Sequence, residues 1–168
     1  MKNIILTGMP GAGKSTIGVI LAKTLKMPFI DTDLLIQERE GRLLQEIIDE
    51  KGLGYFLSVE ERVLLGLEPE GTVVSPGGSI VYSRAAVEHF KRNSLLVYLR
   101  LSYESIRTRV RNMDSRGIVF KEGQDLRDLY LERVPLYEKY ADHTIDCEGK
   151  DMEEIVRELK RGVGPLVT

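Results

Sequence analysis

A glycine-rich stretch near the amino terminus has the residue types and spacing of a phosphate-binding loop. Its pattern is Gly-x-x-x-x-Gly-Lys-Ser, between a short apolar run and a helical pattern. Glycines let backbone amides approach phosphate oxygens, the following helix adds its positive end, and the lysine adds a point charge. In this context the motif predicts a nucleoside triphosphate site. Its predicted residues are Gly8, Gly11, Ala12, Gly13, Lys14, Ser15 and Thr16.

Two carboxylates, Asp31 and Asp33, directly follow a second apolar run at Pro28–Ile30. In parallel α/β folds, ligands gather at the carboxyl ends of strands, so both side chains are expected beside the nucleotide. Asp31 is a candidate ligand of Mg²⁺ together with Ser15. Asp33 is a candidate to orient or deprotonate a hydroxyl acceptor. Helix capping is the structural alternative for either residue, and one residue can do both.

A glycine pair, Gly77 and Gly78, follows a third apolar run and permits a tight turn or a close approach to a ligand. Further along, Arg109 and Arg116 stand near a polar segment that has a glycine at each end. A mobile segment of this kind predicts a lid whose guanidinium neutralises phosphoryl charge.

Arg133 stands inside the apolar stripe of a predicted helix, one turn from Tyr130 and from Tyr137. A buried guanidinium needs an anionic partner. A carboxylate of the protein and a carboxylate of a substrate would both serve, and the residues alone leave these alternatives open.

The elements that must position these residues alternate between apolar runs and helical patterns, which predicts an α/β fold with a parallel sheet. Ser58–Glu61 matches a capping box and predicts a helix start there. The predicted strands are Asn3–Thr7, Pro28–Ile30, Thr72–Ser75, Leu95–Leu99 and Thr144–Cys147. The predicted helices are Lys14–Leu25, Leu34–Glu40, Leu43–Glu50, Val59–Leu67, Ser83–Lys91, Ser102–Asn112, Leu126–Tyr140 and Met152–Lys160.

The bulk composition fits one domain, residues 1–168, with an ordinary core. A net charge of −2 gives no reason to expect nucleic acid or a membrane surface as a partner. No apolar run has the length of a membrane span, and the single cysteine excludes an intrachain disulfide. A reducing cytoplasm is therefore the expected compartment.

Taken together, these motifs resemble the shikimate kinase family of small P-loop kinases. The resemblance extends from Met1 to about Leu159. It rests on the glycine-rich loop, Asp31-Thr32-Asp33, Gly77-Gly78, Arg109 and Arg116, and Arg133-Val134-Pro135-Leu136-Tyr137.

The resemblance implies a three-layer P-loop kinase fold with a five-stranded parallel sheet. It also implies a helical acceptor-binding insert at residues 34–70, a mobile lid at residues 112–124 and a monomer. The implied reaction transfers the γ-phosphoryl group of ATP to the 3-hydroxyl of shikimate, on the route to chorismate and the aromatic amino acids.

The resemblance further assigns a role to each matching residue. Lys14 contacts the phosphates, and Ser15 and Asp31 serve Mg²⁺. Asp33 binds the shikimate hydroxyls or acts as base. Gly77 and Gly78 approach the acceptor through their backbone, and Arg109 contacts the adenine. Arg116 is the lid arginine, and Arg133 binds the shikimate carboxylate.

One departure from the family pattern concerns the acceptor. The family has Phe-Arg-x-x-Glu where this chain has Phe56-Leu57-Ser58-Val59-Glu60, so Leu57 replaces an arginine that shares the shikimate carboxylate. Loss of one charged donor costs roughly 2–4 kcal/mol of binding. A kinase for another polyol or sugar acid is therefore an alternative, and an ATP-binding module without transfer activity is a second one.

Overall fold

The computed structural model describes residues 1–111 and 117–167. Its sheet has five parallel strands in the order β2-β3-β1-β4-β5, with Ile5 opposite Val74 and Leu6 opposite Val97. This confirms the predicted fold class. The strands are β1 (Asn3–Thr7), β2 (Phe29–Asp31), β3 (Val73–Ser75), β4 (Ser94–Arg100) and β5 (His143–Asp146).

The helices of the described residues connect and cover these strands. A 3₁₀ helix at Gly78–Tyr82 follows β3 directly. The α-helices are α1 (Lys14–Leu25), α2 (Thr32–Glu40), α3 (Leu44–Lys51), α4 (Leu53–Leu65), α5 (Arg84–Lys91), α6 (Tyr103–Arg111), α7 (Leu126–Tyr140), α8 (Met152–Gly162) and α9 (Gly164–Val167).

The central strand β1 shows why the fold has three layers. Ile4, Ile5 and Leu6 have no exposed surface, although successive side chains of a strand point to opposite faces. Both faces of the sheet are therefore covered, as is usual for all-parallel sheets. Within residues 1–111 and 117–167, no helix is both long enough and apolar enough to cross a bilayer.

The start of α4 differs from the sequence prediction. The helix begins at Leu53, five residues before Ser58, and its N-cap is Gly52, which has a φ of 85°. The Ser58 hydroxyl donates to the carbonyl of Tyr55, and Glu61 accepts from the hydroxyl of Ser83. Both residues of the supposed capping box have partners elsewhere, so the predicted helix start was wrong.

A second hydrophobic cluster lies apart from the core that surrounds the sheet. It consists of buried residues of α2, α3 and α4 together with Val119. Because Val119 belongs to the segment between α6 and α7, this segment is packed onto the three helices that follow β2. The members of this second cluster are Ile36, Leu44, Ile47, Phe56, Val59, Val63 and Val119.

Candidate active site

The glycine-rich loop connects β1 to α1 and lines a cavity at the carboxyl edge of the sheet. Gly11 and Gly13 have φ angles of 80° and 90°, a region that side chains with a Cβ rarely enter. Gly13 is the N-cap of α1 and makes no side-chain cap hydrogen bond. The first amides of a 12-residue helix are thus directed at the cavity, which is a general arrangement for anion binding.

The Lys14 ammonium lies over this loop, where it donates to the carbonyls of Gly8 (2.9 Å) and Met9 (3.0 Å). Burial lowers the pKa of Lys14 to about 8, and the negative charge of Asp33 opposes the shift. The side chain therefore brings a positive charge to the cavity wall at neutral pH. The exposed Thr16 follows Ser15 at the same helix end, and both residues line the cavity.

Ser15 and Asp31 form the oxygen pair that the sequence predicted. The Ser15 hydroxyl donates to Asp31 Oδ2 at 2.7 Å and lies 3.4 Å from the Ser75 hydroxyl. The other oxygen of Asp31 accepts from the amide of Asp33 at 3.0 Å, which caps α2. Both interpretations of Asp31 are thus compatible, because each uses a different carboxylate oxygen.

The donor set fits Mg²⁺. Serine hydroxyl and aspartate oxygens are hard ligands, and Mg²⁺ is usually held by one or two carboxylates, with water and phosphate completing its shell. In the described part of the chain, no group of three His, Cys, Asp or Glu side chains forms a metal cage. The arrangement suits an ion that arrives with a nucleotide.

Asp33 lies in the first turn of α2 and faces the same cavity. Burial raises the pKa of its carboxyl to about 6, the charge of Asp31 raises it further, and Lys14 opposes both effects. The residue is therefore ionised at neutral pH, yet more basic than an exposed aspartate. That is the property expected of a group that accepts a hydrogen bond or a proton from a hydroxyl.

Gly77 and Gly78 bring several elements into close contact after β3. A Cβ on Gly78 would lie 2.9 Å from Arg133 Nη1, from the Gly8 carbonyl oxygen and from Tyr137 Oη. The carbonyl of Gly78 accepts from Tyr137 Oη at 2.7 Å. The position therefore has no room for a side chain, which explains this glycine by packing alone.

Arg133 is 1% exposed and lines the cavity from α7. Its Nε donates to Tyr82 Oη at 3.2 Å and its Nη2 to the Val119 carbonyl at 3.3 Å. Within residues 1–111 and 117–167, no carboxylate oxygen lies within 4.0 Å of its guanidinium nitrogens. Of the two alternatives left open above, the internal salt bridge is not found there.

Three polar residues of the cavity wall, Glu60, Ser75 and Ser79, were not among the predicted site residues. Glu60 is 3% exposed, and both of its carboxyl oxygens accept from the Ser79 hydroxyl, at 2.7 and 2.8 Å. The signal for Glu60 was its position between Phe56 and Val63, in the apolar stripe of α4. Because Ser58–Glu61 was interpreted as a capping box, Glu60 was not recognised as part of this stripe.

The remaining predicted residues fall in different places. Arg109 of α6 donates to the carbonyls of Gly11 (3.2 Å) and Ala12 (3.5 Å), so it lies against the glycine-rich loop. Arg116 lies outside the described residues. Leu57 is half-buried and packs against the second cluster.

A short segment before α7 covers the cavity. Gly117, Ile118 and Val119 line it, and we refer to residues 117–124 as the covering segment. Gly117 has a φ of 60° and lies so close to α3 that an added Cβ would overlap the side chain of Leu44. The segment is also tied to α7, because Lys121 and Gln124 both donate to Glu132.

Comparisons with known proteins agree with this fold. The shikimate kinase family model matches residues 10–163. A shikimate kinase of Sulfurihydrogenibium sp. is 35% identical over 160 residues, which are 95% of this chain and 96% of that protein. The structure of shikimate kinase from Acinetobacter baumannii in complex with shikimate has a TM-score of 0.84 and 28% identity, over 100% of this chain and 96% of that one.

A second solved structure, shikimate kinase from Aquifex aeolicus, has a TM-score of 0.82 and 32% identity, and the match covers 99% of both chains. Family model, relatives and structures therefore agree over nearly the full length. The chain belongs to the shikimate kinase family.

Proposed function

We propose that the protein transfers the γ-phosphoryl group of ATP to the 3-hydroxyl of shikimate. The observation that carries the proposal is Arg133, a buried cation in the cavity wall without a carboxylate within 4.0 Å in residues 1–111 and 117–167. Burying a guanidinium costs free energy unless an anion pairs with it. The carboxylate of shikimate is an anion of suitable geometry for a planar guanidinium.

The nucleotide half of the site uses the loop and its neighbours. The amides of Gly11, Ala12 and Gly13 and the ammonium of Lys14 bind the phosphates. Arg109 lies against the loop and contacts the adenine. Ser15 and Asp31 hold Mg²⁺, which when bound neutralises charge on the phosphate oxygens.

The acceptor half uses Asp33, the glycine pair and Arg133. Arg133 fixes the carboxylate of shikimate, and the backbone at Gly77 and Gly78 forms the wall against which its ring lies. Asp33 accepts a hydrogen bond from the 3-hydroxyl and aligns its oxygen with the γ-phosphorus for in-line attack. Positioning and charge neutralisation supply most of the rate enhancement in such reactions.

The domain organisation is part of the proposal. We propose one kinase domain over residues 1–168, in which residues 34–70 form the acceptor-binding insert and residues 112–124 the lid. The contact of Gly117 with Leu44 and the burial of Val119 in the second cluster support this division. Arg116, as the lid arginine, would stabilise charge on the transferred group.

We also propose that the enzyme is a cytoplasmic monomer that binds neither nucleic acid nor membranes. Its net charge of −2 and its single cysteine, which is buried, support this. Sedimentation of the purified chain measures the oligomeric state, and a dimer at micromolar concentration would contradict this part.

A second candidate keeps the fold and changes the acceptor. It is favoured by Leu57, which supplies no charge where the family has an arginine. The acceptor would then be a polyol or sugar acid that relies less on its carboxylate. The presence of Lys14, Ser15 and Asp33 in the cavity wall argues against a third candidate, an ATP-binding module without transfer activity.

A coupled ADP-release assay with Mg²⁺-ATP distinguishes these candidates. We expect saturable turnover with shikimate and a KM at least tenfold higher with its uncharged methyl ester. Equal KM values for acid and ester, or better turnover with gluconate or another polyol, would favour the second candidate. ATP binding without turnover on any of these acceptors would favour the third.

A further inference from the structure

Glu60 is a buried acidic group of the cavity wall to which the proposed reaction assigns no task. Its only hydrogen bonds in the described part of the chain come from the Ser79 hydroxyl, at 2.7 and 2.8 Å. No Lys, Arg or His nitrogen of residues 1–111 and 117–167 lies within 4.0 Å of its oxygens. A buried carboxylate without a close cation is unfavourable, and such a group takes up a proton instead.

The surroundings of Glu60 explain its ionisation. Burial raises the pKa of its carboxyl to about 7, the Ser79 hydroxyl lowers it, and Asp33 raises it again. The more distant charges of Arg133 and Lys14 lower it by smaller amounts. The titratable and charged groups that face Glu60 come from α1, α2 and α7: Lys14, Asp33, Arg133 and Tyr137.

Gly77 shows where the Glu60 carboxyl lies relative to the acceptor side of the cavity. A Cβ on Gly77 would be 2.8 Å from Glu60 Oε2 and 3.2 Å from Asp33 Oδ1, so the two acids flank this residue. A Cβ on the next residue, Gly78, would be 2.9 Å from Arg133 Nη1. Glu60 and Arg133 therefore reach neighbouring parts of the same wall.

Helix α4 adds nothing charged that could compensate Glu60 from the preceding turn. Phe56 and Leu57, four and three residues before it, are both apolar, and both pack in the second cluster of the described structure. Residues at these spacings are the helical neighbours of Glu60. Among the described residues, the hydroxyl of Ser79 is the one group that donates a hydrogen bond to Glu60.

We propose that the Glu60 carboxyl, held by Ser79, donates a hydrogen bond to the anionic group of the acceptor and forms a second recognition element beside Arg133. This inference rests on the proposed function, since it concerns an acceptor that carries a carboxylate. A carboxylic acid has an O–H to donate, whereas a carboxylate only accepts. Glu60 and Ser79 together thus provide a hydrogen-bond donor that carries no positive charge, three residues after the apolar Leu57.

The proposal has a consequence for pH. Once Glu60 ionises, it loses its donor and repels the acceptor anion across a poorly solvated wall. Affinity for an anionic acceptor should therefore fall as the pH rises above about 7. Glutamine has the same shape, stays neutral and keeps a donor, so Glu60→Gln should remove the part of this dependence that comes from Glu60, while Lys14, whose pKa is about 8, still titrates in the same cavity.

Titration calorimetry with the full chain tests the inference without requiring turnover. Shikimate and its methyl ester are titrated between pH 6.5 and pH 8.5. We expect the Kd of the wild type for shikimate to rise about tenfold over this range, and that of Glu60→Gln to rise several-fold less, because only the titration of Lys14, whose pKa is about 8, then remains. Glu61→Gln, the neighbouring glutamate bonded to Ser83, is the matched control and should follow the wild type.

The outcomes separate this inference from the proposed function. A wild type that binds shikimate, with the same pH dependence in Glu60→Gln, would overturn the inference alone. A wild type that does not bind shikimate at any pH would overturn both. A similar pH dependence for the uncharged ester would also contradict the inference, because no anion is then repelled.

Ser79→Ala gives an independent test in case Glu60→Gln does not fold. Removing the hydroxyl takes away the hydrogen bond that favours ionised Glu60. The pH at which shikimate affinity falls should therefore move upward by half a unit or more. An unchanged midpoint in Ser79→Ala would overturn the inference.

Discussion

Arg133 Nη2 donates to the carbonyl of Val119 at 3.3 Å, so the buried arginine of the cavity wall also holds the covering segment. Val119 is itself buried in the second cluster, against α2, α3 and α4. A single guanidinium thus contacts the covering segment and also lines the cavity. Binding of an acceptor and closure over it are expected to be coupled through this residue.

Replacing Arg133 by methionine tests the carboxylate role, because it keeps the length of the side chain and removes the charge. We expect the KM for shikimate to rise roughly 30- to 1000-fold, which corresponds to the 2–4 kcal/mol of a charged hydrogen bond, while the KM for ATP changes little. Steady-state kinetics with shikimate and its methyl ester measure this. An unchanged KM for shikimate would indicate that Arg133 serves only in packing and does not bind the carboxylate.

Asp33→Asn should lower kcat about 100-fold or more while nucleotide affinity is kept. The amide keeps the shape of the side chain but accepts a proton poorly, and positioned acid–base groups typically contribute 10²–10⁴ in rate. Single-turnover measurements separate the chemical step from binding. The exposed Asp49 of α3 provides the control, since Asp49→Asn should behave as the wild type. Near-normal turnover of Asp33→Asn would exclude the proposed role.

Lys14→Met should abolish measurable transfer, because it removes the only ammonium that donates to the loop carbonyls within the described structure. Loss of charge on a transferring phosphoryl group costs several kcal/mol of transition-state stabilisation. The ADP-release assay is the measurement, with Lys23→Met on the exposed face of α1 as the control. If Lys14→Met kept a tenth of the activity, the phosphate role would be untenable.

Gly117→Ala should disturb the covering segment specifically. The new Cβ would overlap Leu44 and would occupy a left-handed backbone position, at φ 60°. Gly123→Ala is a matched control, because its φ is 72° but no atom lies within 4 Å of its Cβ position. We expect the KM for shikimate to rise several-fold in Gly117→Ala only. An equal effect in both variants would assign the change to backbone strain, not to the contact with α3.

Glu60 should also affect stability in a pH-dependent way. Its pKa is about 7 in the folded chain, against an ordinary 4.5, so protonation favours folding. The stabilisation is complete below pH 4.5 and is lost as the pH rises through 7. Over this interval the wild type should lose roughly 3 kcal/mol of unfolding free energy that Glu60→Gln does not lose. Urea unfolding of both proteins at pH 5 and pH 8 measures the difference, and parallel losses would contradict it.

The features that were predictable from the sequence are those in which neighbouring residues create the signal. The glycine-rich loop is contiguous, and Asp31 and Asp33 are adjacent to the end of their strand, so local patterns were sufficient. Arg133 was recognisable because a charge interrupts an apolar stripe. The parallel sheet followed from the alternation of apolar runs and helical patterns.

The features that were missed depend on contacts between distant residues. Glu60 and Ser79 are 19 residues apart and meet only once α4 packs against the 3₁₀ helix. The order of the strands is likewise set by tertiary packing, which local periodicity does not encode. The predicted start of α4 was wrong because the Ser58 pattern resembles a cap. In the structure Gly52, which has a positive φ, separates α3 from α4, and α4 begins at the next residue.

The strand order has a consequence for the way the protein is made. β1 is synthesised well before its two neighbours in the sheet, β3 and β4. Without them the strand that carries the glycine-rich loop has no partner in the sheet, and such non-local pairing forms late. A nascent chain that ends before Arg100 should therefore be unable to retain nucleotide, although it already contains the complete loop.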